Sequence, residues 1–229
     1  MNDLSIYVHW PWCKSKCPYC DFNSHSFKTY DEDEYIDCVL EELDSVYSNV
    51  KDDLKKQKVC SIYFGGGTPS LMNAKSVGRV ISKIKELFVL SDNVEISTEC
   101  NPTSAEAEKM AQFASHGVNR VSIGVQSLRD DLLKFLGREH SSDEAMVAIK
   151  YAFSAVENVN FDLIYGLPDQ SLEDWKSDLE YAIKVGTPHI SCYQLTIEKN
   201  TAFYNLYKNK DLIMPSVDTQ AEFFNYTRD

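Results

Sequence analysis

The chain has 229 residues, 43% hydrophobic and 25% charged, with a formal net charge of −12. That length can bury one large core, and the acidic balance argues against a nucleic-acid surface, which needs a basic patch. No run is long enough to span a membrane as a helix and the N-terminus lacks a charged-then-apolar leader, while seven cysteines, an odd number, argue for a reducing compartment over a disulfide framework; a cytoplasmic location is predicted.

The first predicted strand, Leu4 to Trp10, runs directly into Cys13-Lys14-Ser15-Lys16-Cys17-Pro18-Tyr19-Cys20, a C-x3-C-x2-C spacing. Three thiolates on one tight loop suit three irons of a [4Fe-4S] cluster and leave the fourth open to a small molecule, a position that four-cysteine ferredoxin runs close. Two other readings compete. A structural zinc site wants four Cys or His ligands in paired clusters; His25 would supply a fourth, but no second C-x2-C follows. Cys17-Pro18-Tyr19-Cys20 alone matches a glutaredoxin-type redox pair, against which stand Cys13 and the length of the chain.

A helix is predicted from about Thr29 to Tyr47, with Asp31 and Glu34 as a capping box, and then a charged, solvated connector from Lys51 to Lys58. The second strand, Val59 to Phe64, ends in Gly65-Gly66-Gly67-Thr68-Pro69 and is followed by a helix from Ala74 to Phe88 with apolar residues at helical spacing. The third strand is Val94 to Cys100 and its helix Ser104 to His116, stopped by Gly117. The fourth is Arg120 to Gln126, with a short helix from Asp130 to Leu136 and a longer one from Ser142 to Val156. The fifth, Asn160 to Tyr165, ends at Gly166-Leu167-Pro168 and precedes a helix from Leu172 to Val185. The sixth is Ile190 to Ile197, followed by helices from Thr201 to about Lys208 and from near Ser216 onward.

Six strand–helix units in series, with strands too apolar for burial on one face, predict an α/β fold built on a parallel sheet covered by helices. Right-handed crossovers curl such a series toward a barrel, and six units leave it open, as a (β/α)6 partial barrel of the TIM kind. A doubly wound sheet is the alternative, but no G-x-G-x-x-G follows the first strand. Residues 1–200 are expected to form the barrel and 201–229 the start of a C-terminal helical region, cut short inside a helix.

Function in such barrels gathers at the C-terminal ends of the strands. There the chain carries the cysteines, the triple glycine, whose backbone can approach a ligand without a Cβ in the way, and then Glu99, Gln126 and Asp162. Acids and an amide on successive strands suit the amine and ribose hydroxyls of a nucleoside-like ligand. Each also has a plain structural role open to it, as helix cap, packed polar group or tight turn. Cys38, Cys60, Cys100 and Cys192 are scattered and read as ordinary buried thiols.

These features together resemble the radical S-adenosylmethionine (radical SAM) enzymes, whose signature is C-x3-C-x2-C. Within them the chain resembles the oxygen-independent coproporphyrinogen III oxidase group. The likeness is carried by Tyr-Val-His-x-Pro-x-Cys from Tyr7, Gly-Gly-Gly-Thr-Pro-Ser from Gly65, Gly-Val-Gln-Ser from Gly124 and Asp-Leu-Ile-Tyr-Gly-Leu-Pro from Asp162. The resemblance implies that Cys13, Cys17 and Cys20 hold the cluster, whose open iron takes the amino and carboxylate groups of SAM. It implies that Tyr7 and Tyr19 flank cluster and SAM, that Gly66, Gly67, Thr68 and Glu99 contact SAM, and that Gln126, Arg138 and Asp162 match SAM-binding positions, in part for a second molecule. The implied chemistry is one-electron reduction of the cluster, cleavage of SAM and a 5′-deoxyadenosyl radical, so an electron donor is an implied partner.

Two departures narrow the branch. The oxidases carry a further cysteine two residues after the third, where this chain has Phe22, and Cys20-Asp21-Phe22-Asn23-Ser24-His25 resembles the haem chaperone branch instead. That branch binds haem and delivers it to haem-accepting proteins; the alternative is a coproporphyrinogen III dehydrogenase converting propionates to vinyls. His9 is shared by both branches and does not discriminate, and His25 and His140 are candidate haem ligands on which no assignment rests. The C-terminal domain that such proteins carry is absent from the expected organisation, and with it a His-Asn and Tyr-Trp signature. A non-functional remnant is the third reading.

Overall fold

The computed structural model describes residues 3–26, 29–54 and 57–229, and only the backbone at 104, 105 and 107. Six parallel strands form one sheet: β1 (Leu4–Trp10), β4 (Val59–Gly66), β5 (Leu90–Cys100), β6 (Arg120–Gln126), β7 (Asn158–Tyr165) and β8 (His189–Gln194). Two residue pairs, β2 (Trp12–Cys13) and β3 (His25–Ser26), make a small parallel bridge across the cysteine loop. The helices are α1 (Glu32–Val50), α2 (Ala74–Leu87), α3 (Ser104–Ser115), α4 (Asp130–Phe135), α5 (Ser142–Ala155), α6 (Leu172–Val185), α7 (Ala202–Asn209) and α8 (Val217–Arg228).

Within the six-stranded sheet each strand pairs with the next member in sequence, in the order β1-β4-β5-β6-β7-β8. A doubly wound sheet reverses its order partway, so this progression is that of a barrel wall. The wall ends at β1 and β8, which flank an open seam, and the inward tyrosines of these edges, Tyr7 and Tyr193, are 57% and 56% exposed. The open partial barrel expected from the sequence is the fold observed.

The local reasons are ordinary. Asp31 accepts from the Glu34 backbone N–H at 3.0 Å and so starts α1 three residues later than predicted; only this side-chain half of the predicted box forms. Complete boxes occur instead at Ser141 with Glu144 and Ser171 with Asp174. The predicted connector Lys51 to Lys58 lies partly outside the described residues.

One premise needs correcting. The strands are not apolar on both faces. In β6, Val121, Ile123 and Val125 are fully buried against the outer helices, while Ser122, Gly124 and Gln126 alternate with them and line the barrel's interior. In β7, Val159, Phe161 and Leu163 alternate in the same way with Asn160 and Asp162. Hydrogen bonds link the inner row: Asn160 Nδ2 donates to Ser122 Oγ at 2.8 Å and Ser122 Oγ to Asp162 at 3.1 Å, while Asn160 Oδ1 is buried without a partner. The outer row forms the main core with Phe64, Ile84, Phe113 and Trp175.

A second apolar cluster, Leu132, Leu136, Ile164, Leu167, Leu195, Phe203 and Leu212, lies at the C-terminal rim of β7 and β8. Tyr19 packs on it, and the Phe203 N–H donates to Pro18 C=O at 2.9 Å. Helix α7 therefore backs the cysteine loop. Helix α8 buries Phe223 against Tyr165, and its Thr227 accepts from Trp175 Nε1 at 2.8 Å.

Candidate functional site

The cysteine loop leaves β1 and is tied down from several sides. Gly67 N–H donates to Trp10 C=O at 2.6 Å and Thr68 N–H to Trp12 C=O at 2.8 Å, so the end of β4 clamps the start of the loop. A Cβ on Gly67 would lie 2.8 Å from the Trp12 carbonyl carbon and 3.0 Å from Trp10 O. Gly66 holds φ of +114°, and its Cβ would meet the His9 ring at 2.7 Å. These two glycines are thus required by the chain's own loop, whatever else they contact. Lys16 closes the far side, its Nζ donating to Phe22 C=O and Ser24 C=O at 3.1 Å each.

His9 belongs to the same scaffold. Its Nε2–H donates to Asn23 C=O at 2.9 Å, which leaves Nδ1 to accept from Tyr7 Oη at 3.1 Å. It braces the loop and does not line the cavity.

That cavity, of about 380 Å3, opens above the C-terminal ends of the strands. Cys13, Cys17 and Cys20 line one side, all three half-buried free thiols. Tyr19, Gly66, Gly67, Thr68, Glu99, Gln126, Arg138 and Asp162 line the rest, so residues 7 to 162 of the predicted set converge on one space with one exception. Tyr7 is that exception: it stacks on Tyr63, with ring centroids 6.2 Å apart, at the open seam. Tyr63, Asn101, Ser122 and Tyr193 also line the cavity and were missed. For Tyr63, Ser122 and Tyr193 the signal was the alternation of polar side chains within strands that otherwise read as apolar; Asn101, just past β5, carried none.

The floor is acidic. Glu99 accepts from Tyr63 Oη at 2.7 Å and from the Gly66 N–H, yet burial, with the nearby Asp162 charge, holds its pKa above the usual carboxylate value. Burial likewise raises Asp162 against the pull of the Ser191 and Ser122 hydroxyls. A cationic or hydroxyl-bearing ligand would relieve that cost. Gln126 sits at φ +72°, a left-handed conformation that a side chain of its kind rarely adopts, at the point where β6 turns into the site.

Arg138 reaches the opposite wall. Its Nη1 donates to Cys17 Sγ at 3.3 Å and its Nη2 to Asn101 Oδ1 at 2.5 Å and Gly124 C=O at 3.0 Å. Its Nε is buried with no partner. A buried guanidinium N–H without a partner, on the side chain that contacts Cys17, fits an anionic ligand next to a metal cluster. Among the described residues, no three His, Cys, Asp or Glu side chains converge closely enough for a single metal ion. Three thiols on one loop, lining one side of a cavity, suit a cluster with an open iron better than a closed four-ligand zinc site.

His140 lines the cavity but is only 6% exposed, with Nε2–H donating to Val125 C=O at 3.0 Å. Burial, then the Arg138 charge, pulls its pKa down to about 4. The unfolded chain takes up this proton near pH 6.5 and the folded chain only near pH 4, so the contribution is present above pH 6.5 and lost as pH falls through that window, about 3 kcal/mol in all. The stability gap between wild type and His140→Gln, from urea unfolding, is therefore expected to shrink by about 3 kcal/mol between pH 7 and pH 4. A gap independent of pH would refute the buried neutral imidazole. His25, the other candidate, is exposed on the bridge β3, its backbone N–H donating to Pro11 C=O at 2.7 Å.

Of the scattered cysteines, Cys100 is buried, Cys60 and Cys192 half-buried, and Cys38 exposed on α1, where a buried thiol was expected. Burial raises Cys192 to about 11.

The sequence model of the radical SAM superfamily matches residues 7–182. The chain is 46% identical over 202 residues to the protein named Heme chaperone HemW of Haemophilus influenzae, covering 87% of this chain and 53% of that protein. It is 41% identical over 223 residues to the Heme chaperone HemW of Escherichia coli, covering 96% of this chain and 57% of that one. Among solved structures, the Escherichia coli coproporphyrinogen III oxidase HemN, a radical SAM enzyme, superposes with a TM-score of 0.82 at 26% identity, over 98% of this chain and 51% of that one. The chain thus spans about half the length of these relatives. No described helix is long and apolar enough to cross a membrane.

Proposed function

The chain belongs to the radical SAM superfamily, and from that premise we propose that it is the cluster- and SAM-binding barrel of a haem chaperone, a protein that binds haem and passes it to haem-accepting proteins. The observation that carries this reading is the likeness to two proteins named Heme chaperone HemW, at 46% and 41% identity, against 26% for the oxidase. Phe22, 58% exposed on the cysteine loop where the oxidases carry a further cysteine, supports the same choice.

In this reading Cys13, Cys17 and Cys20 hold a [4Fe-4S] cluster. Such a cluster, reduced by one electron from a donor protein, supplies the electron that cleaves SAM. The chain's own groups do the positioning. Gly66, Gly67 and Thr68 fix the loop against β4 and leave Glu99 beside it, tied by Tyr63. Glu99 and Asp162 present acceptors to amine and hydroxyl groups, and Arg138, whose buried Nε–H has no partner, supplies the positive charge for an anion. Tyr19, packed on Phe203 with ring centroids 6.3 Å apart, shields the loop from water. Residues 201–229, with α7 and α8, are read as a helical region seated on the barrel. A cytoplasmic location goes with this reading.

The test uses anaerobically reconstituted protein. Haem titrated into it should give saturable binding by absorbance, and reduced protein supplied with SAM and coproporphyrinogen III should give no decarboxylated product by mass spectrometry. Decarboxylated product would overturn the chaperone reading in favour of the oxidase. Absence of haem binding would confine the proposal to cluster and SAM.

A further inference from the structure

Arg138 lies between α4 and α5, and its side chain crosses the top of the barrel to donate to three different elements. Besides Cys17 Sγ on the cysteine loop, it meets Gly124 C=O in β6 and the Asn101 side chain just after β5. An arginine can only donate, so the Asn101 atom facing it is the amide oxygen. Asn101 is itself anchored from behind. Its backbone N–H donates to Glu106 Oε2 at 2.9 Å, and the same oxygen accepts from the hydroxyl of Ser70, which follows the glycine run. Ser70 is fully buried and Glu106 7% exposed. A buried chain of contacts thus runs from the β4 loop through Glu106 and Asn101 to the guanidinium and ends on a cysteine sulfur.

We propose that Arg138 raises the reduction potential of the cluster through its hydrogen bond to Cys17 Sγ, and that Asn101 is the positioning residue that aims it there. The proposal rests on Cys13, Cys17 and Cys20 being the cluster ligands. Adding an electron makes the cluster and its thiolates more negative. A cationic N–H donor on one sulfur stabilises that state more than the oxidised one, so the potential moves up. The guanidinium is partly buried at the cavity wall, where water and salt screen it less than at the open surface. Asn101 and Gly124 occupy Nη2, which fixes the plane of the guanidinium and leaves Nη1 pointing at the sulfur. Without Asn101 the side chain can swing toward the cavity and the N–H···S contact lengthens.

The measurement is the midpoint potential of the anaerobically reconstituted cluster, titrated with a low-potential reductant and followed by EPR, with iron and sulfide quantified in each sample. Arg138→Gln is expected to shift the midpoint to a more negative value, and Asn101→Ala to shift it in the same direction by less. Arg138→Lys, which keeps the charge but not the fork, should fall between wild type and Arg138→Gln. A midpoint for Arg138→Gln equal to wild type at full iron content overturns the proposal. Should that variant take up no iron, Asn101→Ala decides: a negative shift supports the tuning role and an unchanged midpoint refutes it. A wild-type protein that takes up no cluster overturns the ligand assignment itself, an outcome distinct from an unshifted potential.

Discussion

Anaerobic reconstitution of Cys17→Ala is expected to leave the protein colourless, with iron and sulfide reduced to background, and Cys13→Ala and Cys20→Ala should behave the same way. Each removes one of three thiolates, and two cannot hold a cluster whose fourth iron is already without a protein ligand. Cys100 also lines the cavity, but it is a poor substitute. Its thiol donates to Asn101 C=O at 3.1 Å, and burial pushes its pKa well above the ordinary thiol value, so the thiolate is costly to form. Cys38→Ala and Cys192→Ala should keep full iron. Wild-type iron content in Cys17→Ala would remove the basis of the ligand assignment.

Gly67→Ala should be the most damaging small substitution outside the cysteines. The new methyl would meet Trp12 C=O and Trp10 O, both backbone atoms that no rotamer change can clear. Overpacking of this kind costs 1–3 kcal/mol, and the two hydrogen bonds that pin the loop, from Gly67 and Thr68, are worth about 1 kcal/mol each if lost. A loss of about 3 kcal/mol corresponds to roughly 9 °C in the thermal midpoint for a chain of this size. Iron uptake should fall with it, because the displaced segment leads straight into Cys13. Gly186→Ala is the control. That glycine ends α6 at φ +83° with nothing within 4 Å of an added Cβ, so only left-handed strain of about 1 kcal/mol is expected, with iron uptake unchanged. Equal midpoints for the two variants would show that the clamp is unimportant.

Much of the wall was legible because its outer face is local chemistry. β1, β6 and α6 fall where the residues place them, since β-branched runs, capping serines and a terminal glycine act over a few residues. Ends that depend on neighbours were missed by a few residues. β5 begins at Leu90, not Val94, because its start pairs with Val59 through an irregular register. β8 stops at Gln194, where the chain leaves the edge of the sheet and Leu195 drops into the second apolar cluster.

The cysteine spacing, the glycine run and the acids at strand ends were written in the sequence, because a ligand set or a tight turn needs particular side chains at fixed offsets. Their convergence was not. Arg138 lies 121 positions from Cys17 and Asn101 lies 37 from Arg138, and nothing in either segment says that they meet. Nor does Gly67 declare whether its missing Cβ makes room for a ligand or for Trp12. Those answers depend on how six strands stagger around one axis, a matter of packing and register across the whole barrel. The sequence by itself determined the elements, their order and the donor atoms; only the tertiary structure decided which donors share a cavity, because side-chain proximity across strands is set by sheet geometry and not by spacing along the chain.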